Sequence, residues 1–554
     1  MPPLDKITGT LGNKNAVHLL RRATFGPTAQ NIASFSSMNI DQAMNQLFAT
    51  VPAPQPPVDP QTGSTWLNPS ATGLNSSQED LTDYFMAWHL EQMRKSDTSI
   101  KERIVWFLHS HIPTRRSLVT RSEYIYYQNA LFRYYAFGSF KTLFRKICVD
   151  NAMLIYLDNA TNDVSSPNEN FAREMMELYS IGRGPQIEEG NYTNYTESDI
   201  REAARVLTGY MADETFLNND ADTGIPIGQL KTVLSGGSEI ANRHDPGQKQ
   251  FSEAFQNRII QPDELVEGYA TREAAEAELD DLIDMIFDQD ETARFITRKI
   301  YRHFVYYLID DYVETNIIQP LATQFKNSGY SLQTLLRTLL SSVHFFDTDN
   351  AIATDDNQGA IIKSPIDLIL GNCNLFEVEF PTNTSTLYKT VYQEGILEEI
   401  YKQGLDLYEP YDVAGYDAYY QVPAFNRCWI TPYSLAYRYQ FSDHIIYGVN
   451  PNNSSLGVQL DILSWVQDST NVSDPSDAET LVSRLCELMF PFPLHEERLS
   501  FFLNDVFLDG IYASAWTEEW NNYLSNPASY EVNVRTNLEK LLRALIQSPE
   551  YQLY

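Results

Sequence analysis

Residues 166–210 read SPNENFAREMMELYSIGRGPQIEEGNYTNYTESDIREAARVLTGY, and this stretch predicts two capped helices. Ser166, Pro167 and Glu169 have the order of an N-cap, a first helical proline and the third residue of a capping box, with Gly182 just past the end. Helical spacing then places Asn170, Arg173, Glu174 and Glu177 on one stripe and Phe171, Met175 and Leu178 on another, so this helix faces two different environments. Thr196, followed three residues later by Asp199, opens the second helix, whose apolar stripe is Ile200, Ala203, Ala204 and Leu207. Its other side carries Arg201, Arg205 and Thr208, the groups expected to meet the carboxylates of the first helix.

Working outward, the helical period continues through 78–95, 98–112, 121–137 and 139–150, and resumes at 272–289, 291–309, 313–327 and 331–345, where Ser331 is an N-cap. Residues 14–48 read as two short helices broken at Phe25, Gly26 and Pro27, with Pro27 opening the second. Further helices are expected at 364–376, 391–404, 478–489, 495–506 and 535–547. Between them, residues 212–261 lose the period to Gly, Asn and Asp and read as an insertion holding a small β-ribbon near 225–255. The fold class that follows is mainly α, a large multi-helix assembly with a small β-ribbon insertion. Its expected parts are N-terminal helices over 1–50, a proline-rich strap over 51–77, a central core over 78–350 and a C-terminal helical part over 351–554 with a Tyr-rich loop.

With 40 basic against 73 acidic residues the net charge is −33, which repels phosphate backbones and argues against a nucleic-acid partner. No window reaches the ~20 unbroken apolar residues of a membrane span. If Met1 is the natural start, nothing near it directs export and a cytoplasmic protein is expected; a trimmed exported chain would read the same. Of four cysteines, Cys148 and Cys486 sit in apolar helical patterns as buried thiols, and none forms a CxxC pair.

Three clusters carry chemistry. His109 and His111 close an amphipathic helix, and if the helix ends between them they become nitrogen ligands for a divalent transition metal, with Glu174 or Glu177 supplying oxygen. The alternative has both histidines bonded to carboxylates and carbonyls inside a helical core. Glu174 and Glu177 divide into an acid and a base if their surroundings separate their pKa values; otherwise they neutralise Arg173, Arg201 and Arg205 as an ion network. In the run from Arg243 to Lys249, His244 beside Asp245 reads as a base with its orienter, Lys249 as a holder of an anionic group and the whole loop as a lid; the alternative is a Pro-Gly turn displayed to water. In the Tyr-rich loop over 408–429, Gly, Pro and Asp argue against a regular buried element, which makes Tyr416 and Tyr420 candidate binding residues. Nucleotide, dinucleotide and common hydrolase motifs do not occur.

The segments NENFAREMMELYSIG and NYTESDIREAARVLTGY, together with HLLRRATFGPT near the start, RIVWFLHSHIPT at 103–114, RHDPGQKQF at 243–251 and LRALIQSPEYQL at the end, resemble the bacterial family known as domain of unknown function 1800. The resemblance implies that Asn168, Asn170, Arg173, Glu174 and Glu177 are signature positions; Asn168, Asn170, Arg201 and Arg205 are candidate binding residues. Tyr179 stands where relatives look to have His or Phe, and Tyr416 departs from a Val-Ala-Gly-Trp run. It also implies a partner, a sulfatase-like protein encoded nearby. The functional expectation is an enzyme with a His/Glu/Arg site, a metal-assisted hydrolase; its rival is a non-catalytic binding or assembly protein meeting a polymer or protein.

Overall fold

At the centre, the Lys101–His111 helix is packed by the Gln78–Arg94 and Ser122–Tyr135 helices, and every residue from Glu102 to His111 is buried. A helix buried all round needs its polar groups paired, and Arg133 meets Glu102 with two 2.7 Å hydrogen bonds. The structure, a computed structural model, describes residues 2–67, 76–348, 359–448 and 456–554. Mainly α with small antiparallel ribbons, the chain shares one continuous apolar cluster running from Ile7 to Tyr551. No helix among the described residues is long and apolar enough to cross a membrane.

Most predicted helices are present, and the differences have local causes. The first 50 residues form three helices, Gly12–Ala23, Ala29–Ser36 and Ile40–Leu47, because Thr28 with Asn31 and Asn39 with Gln42 each complete a capping box. Thr28, rather than Pro27, opens the second of them. The break before it brings Gly26, at φ +112°, so close to Gly371 that an added Cβ would lie 2.6 Å from its Cα. Residues 51–67 run as a strap without helix or strand, held where Trp88 donates to the Gln55 carbonyl at 2.8 Å and Tyr127 to the Leu67 carbonyl at 2.7 Å. The rest of the predicted strap, 68–75, and the junction at 349–358 lie outside the described residues.

The helix expected from Ser166 begins instead at Asn170, with no side-chain cap. Asp163 takes the Ser165 amide and hydroxyl, and Asn168 takes the Asn170 amide, so these side chains build turns before the helix starts. The helix then widens to a π turn over Met175–Ser180. Similar π turns at Glu314–Ile318, Thr386–Ile396 and Phe501–Leu508 interrupt three other predicted helices. The second helix opens as expected, with Thr196 and Asp199 in a capping box. Fully buried Asp199 also accepts the Ser252 amide and hydroxyl, both at 2.7 Å, and so ties the insertion to the start of that helix.

Five two-stranded antiparallel ribbons occur among the described residues where one was expected. The expected one is the hairpin of Val233–Ser235 with Ser238–Ile240, closed by Gly236 and Gly237 at φ +59° and +89° as a tight two-residue turn requires.

Candidate functional site

The π turn divides the acidic stripe among different partners. It ends with the Ile181 and Gly182 amides on the Met176 carbonyl, the latter at 2.8 Å, and the Ser180 hydroxyl donates to the Met175 carbonyl at 2.6 Å. Arg173 makes two 2.7 Å bonds to Glu197 and one of 3.1 Å to Glu169. Glu177 is held by Arg183 at 2.9 Å and by the Tyr195 hydroxyl at 3.2 Å. Glu174 has no hydrogen bond or ion pair among the described residues. Burial, then the neighbouring charge of Glu177, push its carboxyl up to about 7; Arg173 and Arg183 oppose the shift and Asp412 adds to it.

What surrounds Glu174 comes from far along the chain. Tyr156 has a buried hydroxyl with no hydrogen-bond partner among the described residues, and Glu174, Asp412 and Arg115 are among its charged neighbours. Tyr179 donates to the Val413 carbonyl at 3.0 Å, fastening the Asp412 loop against the π turn. Gly415, at φ +101°, lets the same loop pass so near the end of the Lys101–His111 helix that an added Cβ would stand 2.3 Å from the Ser110 carbonyl oxygen.

His109 and His111 point to different places. His109 is fully buried, its ring centroid 4.1 Å from that of Tyr408, and the Tyr416 hydroxyl lies 3.5 Å from its Nε2. His111 donates from Nε2 to the Tyr179 carbonyl at 3.0 Å and stacks on Phe107. Burial holds both rings down at about 3, with His89 adding to the effect at His109 and Lys299 at His111. Among the described residues no group of three or more His, Cys, Asp or Glu side chains is placed to hold a metal. Each histidine does have a buried Nδ1 without a partner, so the two are packed, not saturated.

The 243–249 loop is fixed by its own charges. His244 pairs with Glu278 at 2.5 Å and not with Asp245; its Nδ1 donates to the Thr208 carbonyl at 3.0 Å. Lys249, fully buried, meets both Glu278 oxygens at 2.7 and 2.9 Å. Asp245 meets Arg205 at 2.7 and 3.2 Å. The expected base and orienter are thus separated, and the polar side chains of the expected lid are turned into the protein. Arg201 is exposed, and Asn168 and Asn170 serve the turn before the helix: Asn168 takes the Asn170 amide at 2.9 Å. Tyr416 is buried and Tyr420, half-buried, donates to Asp417 at 3.2 Å.

Several groups at the site were missed by sequence reasoning. Tyr156 and Asp412 flank Glu174. Lys299 lies beside His111, Ser110, His303 and Tyr420 in a narrow cleft, where burial lowers its amine to about 8 and no carboxylate among the described residues pairs with it. His89 joins the Tyr408 hydroxyl at 2.8 Å to the Glu102 and Arg133 pair. The Tyr-rich loop was the available signal for Asp412 and Tyr408; nothing local marks Tyr156 or Lys299.

No curated protein and no solved structure matches this chain. The description "Protein of unknown function (DUF1800)" belongs to a family whose pattern matches residues 18–553, and the chain is a member of that family.

Proposed function

We propose that the protein is an enzyme, of hydrolytic type, whose acid–base group is Glu174. The observation that carries this reading is a half-buried carboxyl brought to about 7, unpaired, beside a second carboxylate and an unpartnered tyrosine hydroxyl. Such a group is part protonated at neutral pH, so it gives a proton to the leaving oxygen of a polar bond and takes one back from the attacking water. Glu177, fixed by Arg183, lies beside it, and Asp412 adds a second carboxylate from the loop. Arg173, part of the expected His/Glu/Arg site, is engaged by Glu197. His109 and His111 support the loop, and no step is assigned to a metal because the two imidazoles do not converge.

A second reading, a binding or assembly protein, is favoured by the closed pairing of Arg173, Arg205, Asp245, His244 and Lys249. Screening wild type and Glu174→Gln against chromogenic esters, glycosides and phosphoesters across roughly pH 5–9 separates the two. The enzyme reading expects a turnover that falls on the basic side near pH 7 and drops by roughly 100-fold or more in Glu174→Gln. Equal turnover in both proteins contradicts the role given to Glu174, and none in either supports the second reading.

A further inference from the structure

In a chain of net charge −33, one buried region runs the other way. Arg21, Arg22, Arg103, Lys363 and Arg438 gather around Asp367, the acidic side chain whose charge reaches most of them. Asp367 is already committed: it accepts from Arg103 at 2.6 Å, from the Ser364 hydroxyl at 2.6 Å and from the Tyr554 hydroxyl at 3.2 Å. Arg21, Lys363 and Arg438 lean on neutral acceptors. Arg21 donates to the Leu488 carbonyl at 2.5 Å and Lys363 to the Tyr551 carbonyl at 2.6 Å. Arg438 donates to Gln552 at 2.8 Å and to the Lys363 carbonyl at 3.0 Å.

Among the described residues the buried nitrogens Arg21 Nη1, Arg103 Nε and Arg438 Nη1 have no hydrogen-bond partner. Buried cations are normally paired, because removing them from water is costly without an opposite charge. A narrow cleft lined by Arg21, Thr24, Lys363, Asp367, Tyr551 and Tyr554 reaches this region from solvent, with room for a few heavy atoms. Two segments remote in sequence build it. HLLRRATFGPT supplies Arg21 and Thr24 and SPEYQLY supplies Tyr551 and Tyr554, joined to residues 361–367 through the bridge of Ile362 with Leu553.

We propose that this cleft binds a small oxyanion, a phosphate or a carboxylate group, with the Arg21 guanidinium as its main ligand. Guanidinium matches either group with two parallel N–H donors, and the bound charge offsets the excess of cations around Asp367. Burial, unrelieved by an anion, lowers Arg21 and Arg438 to about 10 and Lys363 well below the usual lysine range, as a cluster short of negative charge requires. The site draws on different residues from the Glu174 cluster and does not depend on the enzyme reading.

Isothermal titration of the full chain with inorganic phosphate, and separately with acetate, at ionic strength held constant with chloride, tests it. One saturable site is expected, weakened at least tenfold in Arg21→Gln and unchanged in Glu174→Gln. Tighter phosphate than acetate identifies a phosphate-type ligand, and the reverse a carboxylate. If Arg21→Gln does not fold, Arg21→Lys keeps the charge without the fork and is expected to weaken binding severalfold. No saturable heat with either anion in the wild type, or the same affinity in the Arg21 variants, overturns the proposal.

Discussion

Glu174 and Glu177, one turn apart on the same helix, have opposite surroundings: Arg183 and Tyr195 hold Glu177, while Glu174 has no partner and is pushed up to about 7. The π turn that starts between them produces the difference, since it rotates one carboxylate toward Arg183 and leaves the other beside Tyr156 and Asp412.

That asymmetry has a pH signature. A carboxyl whose folded value is raised binds a proton that the unfolded chain has released, so its contribution is fully present below about pH 4.5 and is lost as pH rises through about 7. Glu174→Gln should therefore flatten the fall in stability between those limits. After allowance for solvent screening of a group this open, the gain at pH 8 is on the order of 1 kcal/mol. Denaturant melts of both proteins at pH 5 and about pH 8 read it; parallel pH dependence in the two would contradict it.

Tyr156→Phe removes a buried hydroxyl that has no hydrogen-bond partner among the described residues. The variant should be as stable as wild type or more so by about 1 kcal/mol, since an unsatisfied polar group is lost without a bond. A thermal midpoint several degrees lower would show that the hydroxyl has a partner.

Gly415→Ala acts through the backbone. Its Cβ meets the Ser110 carbonyl oxygen at 2.3 Å and its φ of +101° is one that other residues rarely adopt. A loss on the order of 3 kcal/mol is expected, with the loop displaced from His109 and His111. Proteolysis within 408–420, faster in the variant than in wild type, is the readout.

The insertion should depend on one carboxylate. Glu278→Gln leaves Lys249 and His244 buried opposite a neutral amide, a loss of about 3–5 kcal/mol. Hydrogen exchange should then rise across 243–260. Unchanged protection there would place the anchor elsewhere, at Asp199 and Ser252.

What the sequence made legible was local. The capping box of Thr196 with Asp199 is an i, i+3 pattern, and the buried face of Ile200, Ala203 and Ala204 is a helical period; both were readable and both are present. The π turn at Met175 was not, because the same residues satisfy an α period, and the contact that accompanies the wider turn, Tyr179 on the Val413 carbonyl, lies 234 residues away. Partner choice was equally hidden. His244 has Asp245 as its neighbour in sequence yet bonds Glu278, 34 residues on, because the carboxylate that reaches its ring is supplied by the Arg272–Phe287 helix. Five cations around Asp367 come from segments spread between residues 21 and 438, and no window of sequence displays them together.

The central claim is that Glu174 titrates near neutrality, and a difference proton titration of folded wild type against Glu174→Gln measures it directly. The account predicts one proton taken up with a midpoint near pH 7. A difference curve centred near pH 4.5, the ordinary range for glutamate, would contradict it and leave Glu174 without its acid–base role.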